Sequence, residues 1–309
     1  MTVDLANSNV AAGEERSDTG LSEGFSAGKH RKRLGVAAWF AIGWLVFIIV
    51  LAVIAPLLPL PDPSETFPEI ARKGPTAGHL LGGDTLGRDL LSRLIYGTRA
   101  SLAVGFGSIA FGFLVGGMLG LTSGFFRGKV DNVLTPLMNI LLAIPQFILA
   151  LSLVNVFATG PEVTSARRLL VLTLGLGVVS IPLLGRITRA NTLAWSEREF
   201  VLAARAMGAK SWRIMFRDVL PNVLPAMLSI AFLGVGIAIV AEGGLSLFGV
   251  GVQPPTPSWG NIISEGQSQM RNAPHIVLFA SVVLFLTVMA LNYLGDVISQ
   301  RFGIRESAL

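Results

Sequence analysis

Long apolar runs separated by short polar segments dominate this chain. Six runs have roughly the 20 residues that a helix needs to cross a bilayer; they cover residues 37–58, 100–123, 132–157, 169–188, 223–246 and 276–298. Within the runs the apolar residues are contiguous rather than alternating, which favours helices over the strands of a membrane barrel. The pattern predicts an all-α membrane protein with six transmembrane helices over residues 36–300.

The polar segments divide the predicted membrane domain from its tails and loops. Residues 1–35 are rich in small and charged side chains, which predicts a disordered N-terminal tail. Leucines in the second half of segment 61–96 predict a surface helix there. Segments 191–222 and 249–274 are the other long loops, and residues 301–309 form a C-terminal tail. Each loop is long enough to contact another protein.

Basic residues predict the orientation. A basic cluster, Lys29 with Arg31, Lys32 and Arg33, precedes the first apolar run. Under the positive-inside rule this cluster and the arginines around residues 186–217 place both termini in the cytoplasm of a multi-pass inner-membrane protein. The net charge of +5 is therefore attributed to topology and contact with lipid headgroups rather than to nucleic-acid binding.

Composition narrows the chemistry further. Hydrophobic residues make up 52% of the chain and charged ones 14%, as in membrane proteins. Cysteine is absent, and His30, His79 and His275 are not at metal-ligand spacing, so no metal site is expected. No phosphate-binding loop of the Gly-x-x-x-x-Gly-Lys-Ser/Thr type occurs in the sequence. Its Gly128-Lys129 pair is followed by Val130 instead of the Ser or Thr that the motif requires. We therefore expect a non-enzymatic chain that binds no cofactor itself.

The segment from Glu199 to Asn222, here called the elbow, is the most unusual polar stretch. Basic and apolar residues interleave at helical spacing, with an interruption at Gly208 and a stop at Pro221. This pattern predicts two short amphipathic helices joined by a small-residue turn. By physics alone the elbow either docks onto another protein or lies on anionic lipid.

Two further sites carry charged residues. Glu242 is an acid near the end of an apolar span, which indicates either a pathway or gating role or a structural partner for an arginine or backbone amide. The predicted orientation puts segments 61–96 and 249–274 outside, and they are called the outer segments. In the first of them, Asp84, Arg88 and Asp89 favour a helix start with charge pairing, with contact to an external binding protein as the alternative. The glycine-rich second span predicts close helix packing, within the chain or against a second subunit.

Three motifs resemble those of bacterial ABC importer permeases. The elbow residues Glu199, Ala203, Ala204, Arg205, Gly208, Leu220 and Pro221 resemble the Glu-Ala-Ala loop of that family. Two further strings are similar to the second permease of dipeptide, oligopeptide and nickel systems. They are Gly83-Asp84-Thr85-Leu86-Gly87-Arg88-Asp89 and the stretch from Leu245-Ser246-Leu247-Phe248-Gly249 to Trp259-Gly260. Leu202 stands where the family's leading Glu is expected, and Asp218 stands at an apolar position.

The resemblance implies a type I ABC importer permease fold and a set of partners. These are a homologous second permease, two cytoplasmic ATPase subunits that dock on the elbow and bind ATP and magnesium, and an extracytoplasmic solute-binding protein. Dipeptides or oligopeptides are the expected substrates, with nickel or another small solute as the alternative. An ion-coupled secondary transporter or an intramembrane enzyme would need paired or clustered polar residues at membrane depth, which the sequence lacks.

Overall fold

A computed structural model describes residues 35–158 and 163–302. The predicted tails 1–35 and 301–309 lie almost wholly outside the described residues. The helices of the described part are α1 (Val36–Ile54), α2 (Leu90–Phe126), α3 (Gly128–Ala143), α4 (Gln146–Ala158), α5 (Ser165–Ser196), α6 (Glu199–Ala206), α7 (Ser211–Ile214), α8 (Leu220–Leu247), α9 (Trp259–Gln267) and α10 (Pro274–Arg301). Single 3₁₀ turns lie at Ala55–Leu57 and Pro68–Ile70, and a π-helical segment, Met215–Val219, joins α7 to α8.

The helices agree with the predicted membrane spans in all but one case. Five helical stretches are long and apolar enough to cross a bilayer, and some of them join a helix to an adjacent turn or short helix. They are Val36–Leu57, Leu90–Phe126, Ser165–Ser196, Ser211–Leu247 and Pro274–Arg301. The bent pair α3 and α4 makes a sixth span if the two are counted together. Among the described residues the model has helices and isolated bridges but no sheet, so the chain is an all-helical, multi-pass membrane protein.

The span predicted over 132–157 is a bent pair of helices rather than one continuous helix. Helix α3 ends at Ala143, α4 begins at Gln146, and their axes differ by 85°. Pro145 lies between them and has no N–H to continue the helix, while Ile144 takes an extended conformation with ψ of 129°. A residue before proline is forced out of the helical region by the proline ring, which explains where the break falls.

Helices α2 and α5 form the tightest pair, as the glycines of the second span predicted. A side chain on Gly116 or Gly120 would collide with the carbonyl oxygens of Ile181 or Gly185 on α5. Because lipid tails are as apolar as the side chains, helices associate in a membrane through such close backbone contact rather than through water exclusion. The glycine stripe therefore packs inside this chain.

Two predicted loop boundaries need correction. No separate surface helix exists in segment 61–96, because Leu90 and Leu94 are buried in the first turns of the 37-residue helix α2. The elbow's second helix does not stop at Pro221. This proline follows the π-helical segment Met215–Val219 almost directly, and the helical stretch runs through it from Ser211 to Leu247.

Candidate functional site

The elbow begins with helix α6, which ends in a glycine-dependent cap. The Gly208 N–H donates to the Arg205 carbonyl at 2.9 Å, and the Ala209 N–H donates to the Ala204 carbonyl at 3.1 Å. This pair of bonds is the Schellman arrangement, which needs a left-handed residue after the helix. Gly208 supplies it with φ of +81°. The turn predicted between the two short helices is therefore present, and glycine is required there by backbone conformation.

The inner side of the elbow packs against the end of α2. Val201 of α6 and Ile214 of α7 are buried at 0% and 1% exposure in a cluster that includes Leu121 and Phe125. The guanidinium carbon of Arg205 lies 5.4 Å from the centroid of the Phe125 ring, within cation–π range. The elbow is thus held by apolar contacts to a membrane span.

The outer side of the elbow carries large apolar side chains without a partner among the described residues. Met207 is 80% exposed, Trp212 62% and Leu202 53%. Glu199, Ala203, Gly208 and Pro221 are exposed as well, whereas Ala204 and Leu220 are half-buried. Several exposed basic residues lie in the elbow or directly before it as well: Arg198, Lys210, Arg213 and Arg217. The elbow therefore presents a mixed apolar and basic face, with Leu202 adding apolar area where the family motif has an acid.

The Gly83–Asp89 motif, here called the outer signature, contributes to a buried ionic cluster. Asp84 accepts hydrogen bonds from the amides of Leu86 and Arg88 at 2.8 and 2.9 Å, and its Oδ2 pairs with the guanidiniums of Arg88 and Arg93. Burial opposes its ionisation, but the two guanidiniums and two amides outweigh this and hold the pKa of Asp84 below its ordinary value. Two arginines on one carboxylate leave a positive excess that needs a second acid.

Glu265 of helix α9 is the second acid of this cluster. Its Oε2 lies 2.5 Å from Nη2 of Arg88 and 2.7 Å from Nη1 of Arg93. Arg93 also donates to Oδ1 of Asn261 at 3.2 Å. The cluster therefore ties the two outer segments together across 172 residues of sequence.

The remaining signature residues shape the start of α2. Asp89 accepts from the Ser92 amide at 2.7 Å and caps the helix, which is the helix start that the sequence predicted. Gly87 has φ of +83°, and a side chain there would collide with the Phe67 carbonyl. Asp84, Arg88 and Asp89 are all buried. Contact with a solute-binding protein stays a prediction, and these three side chains are turned inward.

Glu242 links α8 to helix α9. It is fully buried, and its Oε1 accepts from Ser246 at 2.8 Å and from Ser258 at 2.9 Å. Ser258 is the cap of α9, and next to it Trp259 donates through Nε1 to the Leu94 carbonyl of α2 at 3.2 Å. No arginine lies among these contacts. The geometry matches a structural role for Glu242, while a pathway or gating role remains a prediction.

Sequence reasoning missed two polar links that the fold creates. Arg93 and Glu265 join the outer cluster, and Asp131 forms a two-pronged ion pair with Arg189 of α5, both bonds being 2.6 Å. Ser123 of α2 donates to the same carboxylate at 2.5 Å. The partners in these links are up to 172 residues apart, so no local spacing reveals them. An arginine within the first turn of an apolar helix, as Arg93 is, was the one available signal.

Comparison with known proteins identifies the family. The model of the binding-protein-dependent transport system inner membrane component matches residues 112–305. The glutathione transport system permease protein of Pectobacterium atrosepticum is 35% identical, covering 90% of this chain and 87% of its own. The dipeptide transport system permease protein of Alkalihalophilus pseudofirmus is 36% identical, with 84% and 81% covered. The di/tripeptide transport system permease protein of Pseudomonas aeruginosa is also 36% identical, with 86% of each covered.

A solved structure supports the fold. A chain of the MetNI methionine ABC transporter in an inward-facing conformation aligns with a TM-score of 0.54 at 23% identity, covering 69% of this chain and 96% of that one. The bundle with its elbow is thus the type I ABC importer permease fold. With the motifs, the membrane-spanning helices and the relatives in agreement, the chain belongs to the family of binding-protein-dependent transport system inner membrane components and is an ABC importer permease.

Proposed function

We propose that this chain is one of two homologous permeases of an ATP-driven importer of short peptides, with ATPase subunits docked on its elbow. The observation that carries the proposal is the exposed apolar and basic face of the elbow, fixed from the inside by the apolar cluster on α2. An anchored surface with exposed Trp, Met and Arg side chains has the composition of a protein interface core.

Docking onto a protein explains this face better than contact with lipid. A helix that lies on a membrane has one apolar side, which enters the acyl region, and one basic side. In α6 the side with Val201 is already filled by this chain, and a second set of apolar residues is exposed beside arginines. A groove on a partner would cover both Leu202 and Trp212, and its acidic rim would pair with the elbow's arginines.

The relatives support peptides as the substrate class. Their names specify glutathione, dipeptides and di/tripeptides, and they align over more than four fifths of both chains. Selection among peptides would then rest mainly on an external solute-binding protein. The signature loop around Asp84 and helix α9 lie in the two outer segments that such a protein would meet.

Energy would come from the partners. ATP and magnesium would bind to the ATPase subunits, while this chain converts their closure into opening of the path, by alternating access rather than by chemistry. Both termini would then be cytoplasmic, on the same side as the elbow. The family description places such permeases in the inner membrane.

The test compares two tryptophans of equal exposure. Trp212 of the elbow is 62% exposed and Trp39 of α1 is 64% exposed. In a complex reconstituted in proteoliposomes, Trp212→Ala should weaken ATPase binding and ATP-dependent dipeptide uptake, since an interface tryptophan commonly contributes about 2 kcal/mol or more. Trp39→Ala should leave both unchanged.

Two results would contradict the proposal. Equal ATPase binding by Trp212→Ala and Trp39→Ala would exclude the elbow as the docking site. Uptake of nickel chelates without uptake of any dipeptide, by the wild-type complex, would exclude the peptide substrate class.

A further inference from the structure

An apolar cavity of about 280 Å³ lies between helices α2, α4, α5 and α8. It is bounded by Ile109 on α2, Ser180 on α5 and Gly234 on α8. These residues fall near the middle of their respective spans, so the cavity lies near the middle of the bilayer. On the fourth side it is bordered by Gln146 and Phe147, the first two residues of α4.

The break between α3 and α4 leaves backbone groups beside the cavity that lipid cannot satisfy. The first hydrogen bond of α4 runs from the Leu149 N–H to the Pro145 carbonyl, so the preceding N–H groups have no partner in their own helix. At membrane depth an irregular backbone persists only where protein covers it or where it lines a water-filled space. A lipid acyl chain offers no hydrogen bond to these groups.

The lining fits an apolar group attached to a polar one. Nearly all of the wall is aliphatic or aromatic, and the Ser180 hydroxyl is already satisfied by the Leu176 carbonyl at 2.9 Å. The Gln146 carboxamide lies at the mouth, is exposed, and bonds to no other described residue. A cavity of about 150 Å³ holds a benzene ring, so this one has room for the largest apolar side chains.

We propose that the cavity is a transport subsite for one apolar side chain of the peptide, with the Gln146 carboxamide meeting the peptide backbone. This inference rests on the proposed function and adds a preference to it. The permease itself then favours peptides with a bulky apolar residue, beyond the selection exerted by the binding protein.

The test changes the size of the cavity in both directions. Ala241 and Leu183 line the cavity, and Leu183 is 43% exposed, so its truncation costs little packing. Ala241→Leu narrows the cavity and Leu183→Ala widens it. Leu114→Ala serves as the control, because Leu114 lies on α2 at 65% exposure and is not part of the lining.

Uptake is measured in proteoliposomes with binding protein loaded beforehand with alanyl-alanine or with alanyl-phenylalanine, so that its own affinities do not enter. Ala241→Leu should lower the uptake ratio of alanyl-phenylalanine to alanyl-alanine about tenfold, in the range found for size discrimination in apolar pockets. Leu183→Ala should leave this ratio unchanged or raise it. The control, Leu114→Ala, should give the same ratio as the wild type.

Each result decides a separate point. If Ala241→Leu reduces both peptides equally, the cavity is filled by lipid or by the second permease and the subsite is wrong. If Leu183→Ala lowers the ratio, the subsite is also wrong. Should the wild-type complex take up neither peptide, the proposed function fails, which is visible before any variant is made.

Discussion

Gly208 allows the docking of the elbow to be tested without disturbing the fold. Its φ of +81° would cost alanine about 1–2 kcal/mol, which would damage the turn whether or not a partner binds there. Asparagine enters the left-handed region more easily because its side chain bonds locally. A Cβ at this position meets no atom of the described chain within 4 Å. Gly208→Asn therefore adds bulk only on the side offered to a partner.

The size of the effect follows from the crowding of a packed interface. Inserting a side chain into a well-packed site costs about 1–3 kcal/mol, which corresponds to roughly 5- to 150-fold weaker binding. The assay is the affinity of the purified permease pair for its ATPase subunits in detergent, with the thermal unfolding midpoint measured in parallel. We expect the affinity to fall while the midpoint stays within about 2 °C of the wild type.

Gly249 provides the matched control. It has φ of +74°, also has no atom within 4 Å of a built Cβ, and follows α8 at the opposite end of that helix from the elbow. Gly249→Asn should bind the ATPase like the wild type. Full affinity in Gly208→Asn would refute the argument that the partner closes around this turn.

Three further predictions concern the outer segments. Arg93→Met should destabilise the protein by about 3 kcal/mol because it leaves the buried Asp84 and the half-buried Glu265 with one arginine; an unchanged unfolding midpoint in detergent would contradict this. The pKa of Asp84 is depressed in the folded protein, so its ionisation stabilises the fold above the unfolded value of about 3.9 and is lost as pH falls through the lower folded value. The difference in midpoint between wild type and Asp84→Asn should thus be constant from about pH 7 to pH 5 and shrink below about pH 4; a constant difference down to pH 3 would oppose the assignment. Gly260→Ala should loosen α9, since its Cβ would lie 2.5 Å from the Gly243 Cα and 2.8 Å from Glu242 Oε2; a wild-type midpoint would show that the helices separate freely.

Much of the architecture follows from local sequence patterns. The spans are set by uninterrupted apolar runs, the turn at Gly208 by a glycine between two amphipathic stretches, and the α2–α5 contact by glycines four residues apart. In each case the cause lies within a few residues of the effect. Such features can be predicted without knowing what the chain folds against.

Other features depend on contacts between distant residues or on competing local rules. The 85° bend was present in the sequence as Pro145, but a proline within an apolar run is compatible with both a mild kink and a break. Pro221 had the opposite outcome, because the helical stretch runs through it just after the π-helical segment Met215–Val219. The Arg93–Glu265 pair joins segments 172 residues apart, and no pattern along the chain predicts which acid an arginine will meet.

The continuous helical stretch from Ser211 to Leu247 connects the elbow directly to the outer segments. Its 37 residues span about 55 Å at 1.5 Å per residue. Trp212 lies at the elbow end of this helix, on the exposed face. Glu242 lies near the other end, where it accepts a hydrogen bond from Ser258, the cap of α9. A tilt of about 5° at the base would sweep the far end through roughly 5 Å over that length. The π-helical segment, Met215–Val219, lies near the base of this helix, and such segments are frequent at functional sites.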